Sequence, residues 1–207
     1  MVLVLLLALL NSSAARADVI VSEDSEWRYY KGVAEASSPV AAWRQSDFND
    51  AAWATGRGPF FYEDSFGYTG NTALTDMRGR YTCVFLRKAF GVANPAGVGD
   101  LTLYLQTDDG CVVWLNGTEV ARVNMPDGEP FVTWTSLPAA GEPNVTTVIL
   151  SNAESLLRAG TNILAIQAFN SGLSDSSDFL IAASLSGNLD IVPPAVDLVV
   201  PAPGSVV

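Results

Sequence analysis

Histidine is absent from the 207 residues, and with it go Ser-His-Asp and Cys-His catalysis and the commonest zinc ligand. Basic residues are scarce, 11 Lys+Arg against 22 Asp+Glu for a formal net charge of −11. They form no cluster, so the chain has no electrostatic footprint for a nucleic-acid backbone or an anionic membrane surface. No G-x-S-x-G elbow, P-loop or strand-linked G-x-G-x-x-G is present, and there is no internal repeat. Acidic residues are plentiful, yet hydrolysis by two carboxylates needs one carboxyl of raised pKa and a second about 5 to 10 Å away across a cleft. Nothing in the sequence marks such a pair, and the chain reads as a non-enzyme.

What is there is β pattern. Leu101, Leu103 and Leu105 alternate with Thr102, Tyr104 and Gln106, the period-2 signature of a strand with one buried face. After the turn signal Asp108-Asp109-Gly110, Cys111 to Leu115 is apolar on both faces, as in a central sandwich strand. Asn116-Gly117 then supplies the positive backbone angles of a two-residue hairpin before Thr118 to Val123. Together these read as an antiparallel meander. Val19 to Val21, Trp27 to Lys31, Thr161 to Phe169 and Phe179 to Leu185 read as further strands. Pro39 to Gly58 is irregular, with Trp43, Phe48 and Trp53 as core plugs. Ser151-Asn152-Ala153-Glu154 fits a capping box and Gly160 a left-handed stop, which predicts one short helix. Two long connections, Glu63 to Arg78 and Asn124 to Asn144, are candidate functional loops.

Residues 1–17 read as a secretory signal peptide: Val2 to Leu10 is too short to span a bilayer, and Ala15-Arg16-Ala17 provides a small-residue cleavage site. The basic residues that usually precede such a run are missing. Loss of Arg16 by cleavage takes the net charge from −11 to −12. Residues 18–189 suffice for one domain with one core, burying roughly 70% of the unfolded chain's surface. Residues 190–207, rich in proline, read as a linker and the start of a further Ig-like module. The expected location is outside the cell, as part of a longer modular protein.

The strand segments carry a resemblance. Phe85-Leu86-Arg87-Lys88-Ala89-Phe90, the alternating strand Leu101 to Gln106, and Val112-Val113-Trp114-Leu115-Asn116-Gly117 are similar in order and spacing to the sugar-binding jelly-roll domain of β-galactosidase-type glycosidases. The likeness extends downstream through Leu156 to Ala165 and upstream to Trp43 and SDFNDAAWATG. A variant in large secreted bacterial proteins, beside spore-coat-kinase-type, lamin-tail-like or phosphatase-like modules, has matching DDG, LNG, NMP and SSD signatures. The resemblance implies an all-β jelly-roll sandwich of the galactose-binding-like type, with about eight principal strands and one short helix. It implies a non-catalytic accessory module that binds carbohydrate or packs against neighbouring domains of the same chain. A purely structural spacer is the competing class, because fold does not dictate function.

Four site expectations follow. A neutral or cationic glycan is expected at the loop end, with Tyr68 and Trp134 as stacking residues, since the negative charge would repel sulfated or uronic polysaccharides. Asp108-Asp109 is first of all a turn. It also resembles the aspartate pair of protective-antigen-type adhesin modules, which would make Asp108, Asp109, Asn170 and Asp175 calcium ligands. Ser176-Ser177-Asp178 closes a turn or contributes to a ligand site. Cys83 and Cys111, in strands that neighbour each other in the family fold, are the expected disulfide, with two ordinary small core residues as the alternative. The sequons at Asn116 and Asn144 are assigned no function.

Overall fold

The computed structural model describes residues 18–63, 67, 69–126, 133–141 and 143–189; the signal-peptide and linker expectations lie outside them. Twelve strands follow in order: β1 Asp18–Val21, β2 Glu26–Lys31, β3 Ala54–Arg57, β4 Phe60–Glu63, β5 Thr72–Ala73, β6 Cys83–Val92, β7 Val98–Asp108, β8 Gly110–Leu115, β9 Thr118–Val123, β10 Asn144–Leu150, β11 Gly160–Phe169 and β12 Asp178–Leu189. Eight of them have six residues or more. They form two six-stranded sheets, one ordered β10-β7-β12-β4-β5 with β1 also on β12, the other β3-β2-β6-β11-β8-β9. Every pairing is antiparallel except β4 with β5. The protein is an all-β sandwich. No helix among the described residues is long and apolar enough to cross a membrane.

Between the sheets, Leu101, Leu103 and Leu105 of β7 and Phe179, Ile181, Ala183 and Leu185 of β12 share a core with Val84, Leu86, Val113, Leu115, Leu164 and Ile166 of the second sheet. Where one core was expected, the structure has a second cluster on the outer face of the second sheet. There Phe85, Val112, Trp114, Ile163, Ala165 and Phe169 are covered by Trp43 and Trp53. Trp43 meets Phe85 and Trp114 edge-on, with ring centroids 5.1 and 5.5 Å away. The apolar character of both faces of β8 comes from this double burial. Trp43, Phe48 and Trp53 are the plugs the sequence predicts.

The irregular segment that carries these plugs has few backbone partners of its own, and buried carbonyls must find donors. Arg87, on the outer face of β6, provides them. Its guanidinium donates to the carbonyls of Trp43, Gln45 (2.9 Å) and Phe48 (3.3 Å), and its Nε donates to the Asp50 carboxylate at 2.7 Å.

The structure corrects three further expectations. The segment from β7 to β9 is not one meander: β7 lies in the first sheet and β8 in the second, with Asp109 alone between them. Asp108 is in register with Leu180 and Gly110 with Phe169, so the turn carries the chain from one sheet to the other. Second, the helix is a single 3-10 turn, Ala153–Ser155. Asn152 sits in the left-handed region at φ 55°, no side chain caps the turn, and the Ser155 hydroxyl donates to the Asn152 carbonyl. Third, the disulfide is not formed; both cysteines are free and buried. Cys83 pairs with Phe169 and Cys111 with Ala168, on opposite sides of β11. Cys83 belongs to the outer cluster and Cys111 to the inter-sheet core. Two strand spacings, roughly 10 Å, and opposite sheet faces put them beyond the ~7 Å reach of a disulfide.

Candidate functional site

The turn between β7 and β8 builds a cleft at the end of the sandwich where the chain changes sheets. Asp109 is buried there, and its amide donates to the Phe169 carbonyl at 3.0 Å. Its carboxylate holds two other segments together: Oδ1 accepts from the Gly141 amide at 2.8 Å and Oδ2 from the Ser171 amide at 2.6 Å. Asn124, after β9, donates to the Asp109 carbonyl at 3.1 Å and the Ala139 carbonyl at 2.7 Å. The connection between β11 and β12 forms the opposite wall. It is braced from outside by the Gly79 amide on the Leu173 carbonyl (2.6 Å) and by Arg78 Nε on the Ser174 carbonyl (3.0 Å).

The resulting space, about 540 Å³, is lined by Asp109, Ala140, Gly141, Ser171, Gly172, Asp175, Ser176, Ser177 and Asp178. It contains three carboxylates and three hydroxyls but no lysine or arginine. Such a lining accepts hydrogen bonds from hydroxyl or ammonium groups and disfavours anions. A Cβ at Gly172 would lie 2.1 Å from Asp175 Oδ1, so a side chain there would displace the exposed Asp175 carboxylate. The Ser177 hydroxyl donates to Asp178 Oδ1 at 3.3 Å.

The structure brings some of the expected residues to the cleft and not others. Of the proposed calcium ligands, Asp109 and Asp175 line the cleft; Asp108 and Asn170 are buried and do not. The Asn170 amide donates to the Thr82 carbonyl at 2.7 Å, and its side-chain oxygen accepts from the Gly172 amide at 3.5 Å. Among the described residues no three Asp, Glu, Cys or His side chains are grouped to hold a metal ion. Trp134 is 36% exposed but lies elsewhere, its amide donating to Glu35 Oε1 at 3.2 Å and its carbonyl accepting from the Cys83 thiol. Tyr68 is outside the described residues. The other four tryptophans are buried. Ser176, Ser177 and Asp178, flagged as turn or ligand residues, are in the wall. Gly141 lies in the Asn124 to Asn144 connection that the sequence flags as a candidate functional loop, but Gly141, Ser171 and Gly172 were not singled out as site residues.

No protein-family model matches the sequence, and no curated protein matches it. Solved structures share the fold. A glycosyl hydrolase family 2 member from Bacteroides cellulosilyticus aligns with a TM-score of 0.51 at 15% identity, over 83% of this chain and 20% of that one. A calcium-binding mutant of Bacteroides uniformis β-glucuronidase 2 aligns with a TM-score of 0.53 at 17% identity, over 83% of this chain and 18% of that one. The chain therefore spans about a fifth of the length of these glycosidases. At such identity the likeness concerns the fold.

Proposed function

We propose that this chain is a non-catalytic accessory domain of a larger secreted carbohydrate-active protein, of the galactose-binding-like jelly-roll type, and that it binds a neutral or cationic glycan in the cleft beside Asp109. The observation that carries the reading is the open, oxygen-rich cleft with no basic residue, set at the loop end of a sandwich. A sugar presents several hydroxyl donors to such a lining, and three carboxylates disfavour sulfated or uronic chains. The fold shared with a fifth of two glycosidases supports the accessory role. Secretion rests on the sequence of residues 1–17 alone.

A structural spacer is the second reading, favoured by the burial of four of the five tryptophans, which leaves few rings for stacking. Affinity electrophoresis and a glycan array separate the two. Carbohydrate binding requires retention by a neutral or amino polysaccharide that Asp175→Ala combined with Ser177→Ala weakens, while Trp134→Ala, away from the cleft, leaves it unchanged. Retention by no glycan, or retention indifferent to the cleft changes, leaves the spacer.

A further inference from the structure

Strand β10 is the last strand of the first sheet. It pairs with β7 in unbroken register from Asn144↔Thr107 to Leu150↔Leu101 and has no partner on its other side among the described residues. A sheet edge presents a row of unpaired amides and carbonyls, and folded proteins usually blunt it with charge, proline, a bulge or a very short strand. β10 has none of these: its seven residues, NVTTVIL, are uncharged and free of proline. In a chain of net charge −11, an uncharged edge is also where a second copy meets the least repulsion.

The strand is complementary to itself. Val145, Thr147 and Ile149 point away from the core, and Val145 is 55% and Ile149 56% exposed. An antiparallel pairing about a two-fold axis through Thr147 sets Val145 of one copy opposite Ile149 of the other, and Thr147 opposite Thr147. On the inner face it sets Thr146 opposite Val148. Each is a β-branched cross-strand pair of the kind that stabilises sheets. Shifting the register by two residues in either direction leaves Val145 or Ile149 opposite a residue outside the strand.

We propose that the chain self-associates through β10 as a two-fold dimer centred on Thr147, joining the first sheets of two copies into one continuous sheet. The contact is isologous. A seven-residue edge is small against the roughly 1,200–2,000 Å² of stable interfaces, so the dimer forms by mass action at high concentration.

Sedimentation velocity over a concentration series, with disulfide trapping, tests it. The chain is expected to shift from monomer to dimer below about 1 mM. Val145→Lys with Ile149→Lys is expected to weaken association by about tenfold or more while the melting temperature stays the same. Directly opposed antiparallel residues have Cα atoms about 4.5–5.5 Å apart, within disulfide range, so Thr147→Cys is expected to form a covalent dimer on oxidation. Val19→Cys is the control, also exposed but on β1, across the sheet from β10. The natural cysteines do not compete, because burial pushes both thiols up to about 12. A monomer at every concentration, association unaffected by the two lysines, or trapping at Thr147→Cys no faster than at Val19→Cys would overturn the proposal.

Discussion

Arg87 shows how one side chain can hold a segment that lacks regular structure. It is almost fully buried, and its donors are divided among Asp50 and three main-chain carbonyls. Replacing it with Met leaves those carbonyls and a carboxylate without their donor, and breaking a buried pair from one side costs about 3–5 kcal/mol. Urea denaturation of Arg87→Met is expected to show a loss of that order. Arg87→Lys is not expected to rescue it, since a single ammonium cannot reproduce the planar fork. Asp109 plays the same part at the cleft. Asp109→Ala orphans the Gly141 and Ser171 amides and is expected to cost about 1–3 kcal/mol. Because both carboxylate oxygens are already engaged, calcium is expected to leave the melting temperature unchanged; a rise would show binding to the native state. For the two buried, free cysteines, reductant is expected not to shift the melting temperature, and thiol reagents should label them only after unfolding.

At the scale of elements, the hairpin between β8 and β9 joins local and tertiary determinants. Asn116 and Gly117 take the positive φ values, 51° and 87°, that a two-residue turn demands. The Asn116 side chain also accepts from the Ile163 amide at 2.9 Å and donates to Asn162 Oδ1 at 2.7 Å, fastening the hairpin to β11. The turn that precedes β6 is fastened to β2 by charge. Lys31 donates to both oxygens of Asp76, and the Tyr81 hydroxyl donates to one of them at 2.9 Å. Burial raises the Asp76 pKa, but the hydrogen bonds from Lys31 and Tyr81 and the charge of Lys31 outweigh it, holding the carboxyl below its ordinary 3.8. A carboxyl depressed in the folded state contributes stability that is present above its unfolded value and lost as pH falls through the folded value. Below about pH 4, Asp76→Asn is therefore expected to lose less stability than the parent chain, measured by denaturant midpoints along a pH series.

For the whole molecule, the second sheet lies between two apolar layers, the inter-sheet core and the outer aromatic cluster. Trp27 reports on the first layer, and Trp43, Trp53 and Trp114 report on the second. Because β6, β8 and β11 contribute side chains to both, the layers cannot be lost independently without exposing the same strands. Thermal unfolding followed by tryptophan fluorescence and by far-UV circular dichroism is expected to give one coincident transition. An earlier fluorescence transition would mean that the Trp43 segment unfolds separately. The negative charge acts at this scale too, since copies of a chain of net charge −11 repel one another.

The all-β class, most strand positions, the Asn116-Gly117 hairpin and the burial of Trp43 and Trp53, with Phe48 packed against them, were legible in the sequence, because each rests on a local signal: alternation, a turn dipeptide, or aromatics in a segment that needs anchors. The sheet to which each strand belongs was not. Asp108-Asp109-Gly110 gives the same turn signal whether the strands on either side pair with each other or, as here, pair with β12 and β11. The cysteines failed for a related reason: parity relates residues within one strand, and when both faces are apolar it does not say which face meets the other sheet. The capping pattern at Ser151 was overridden by the left-handed Asn152. The cleft depended most on tertiary structure, since Asp109, Gly141 and Ser171 are distant in sequence and are brought together by hydrogen bonds that exist only after the two sheets have packed.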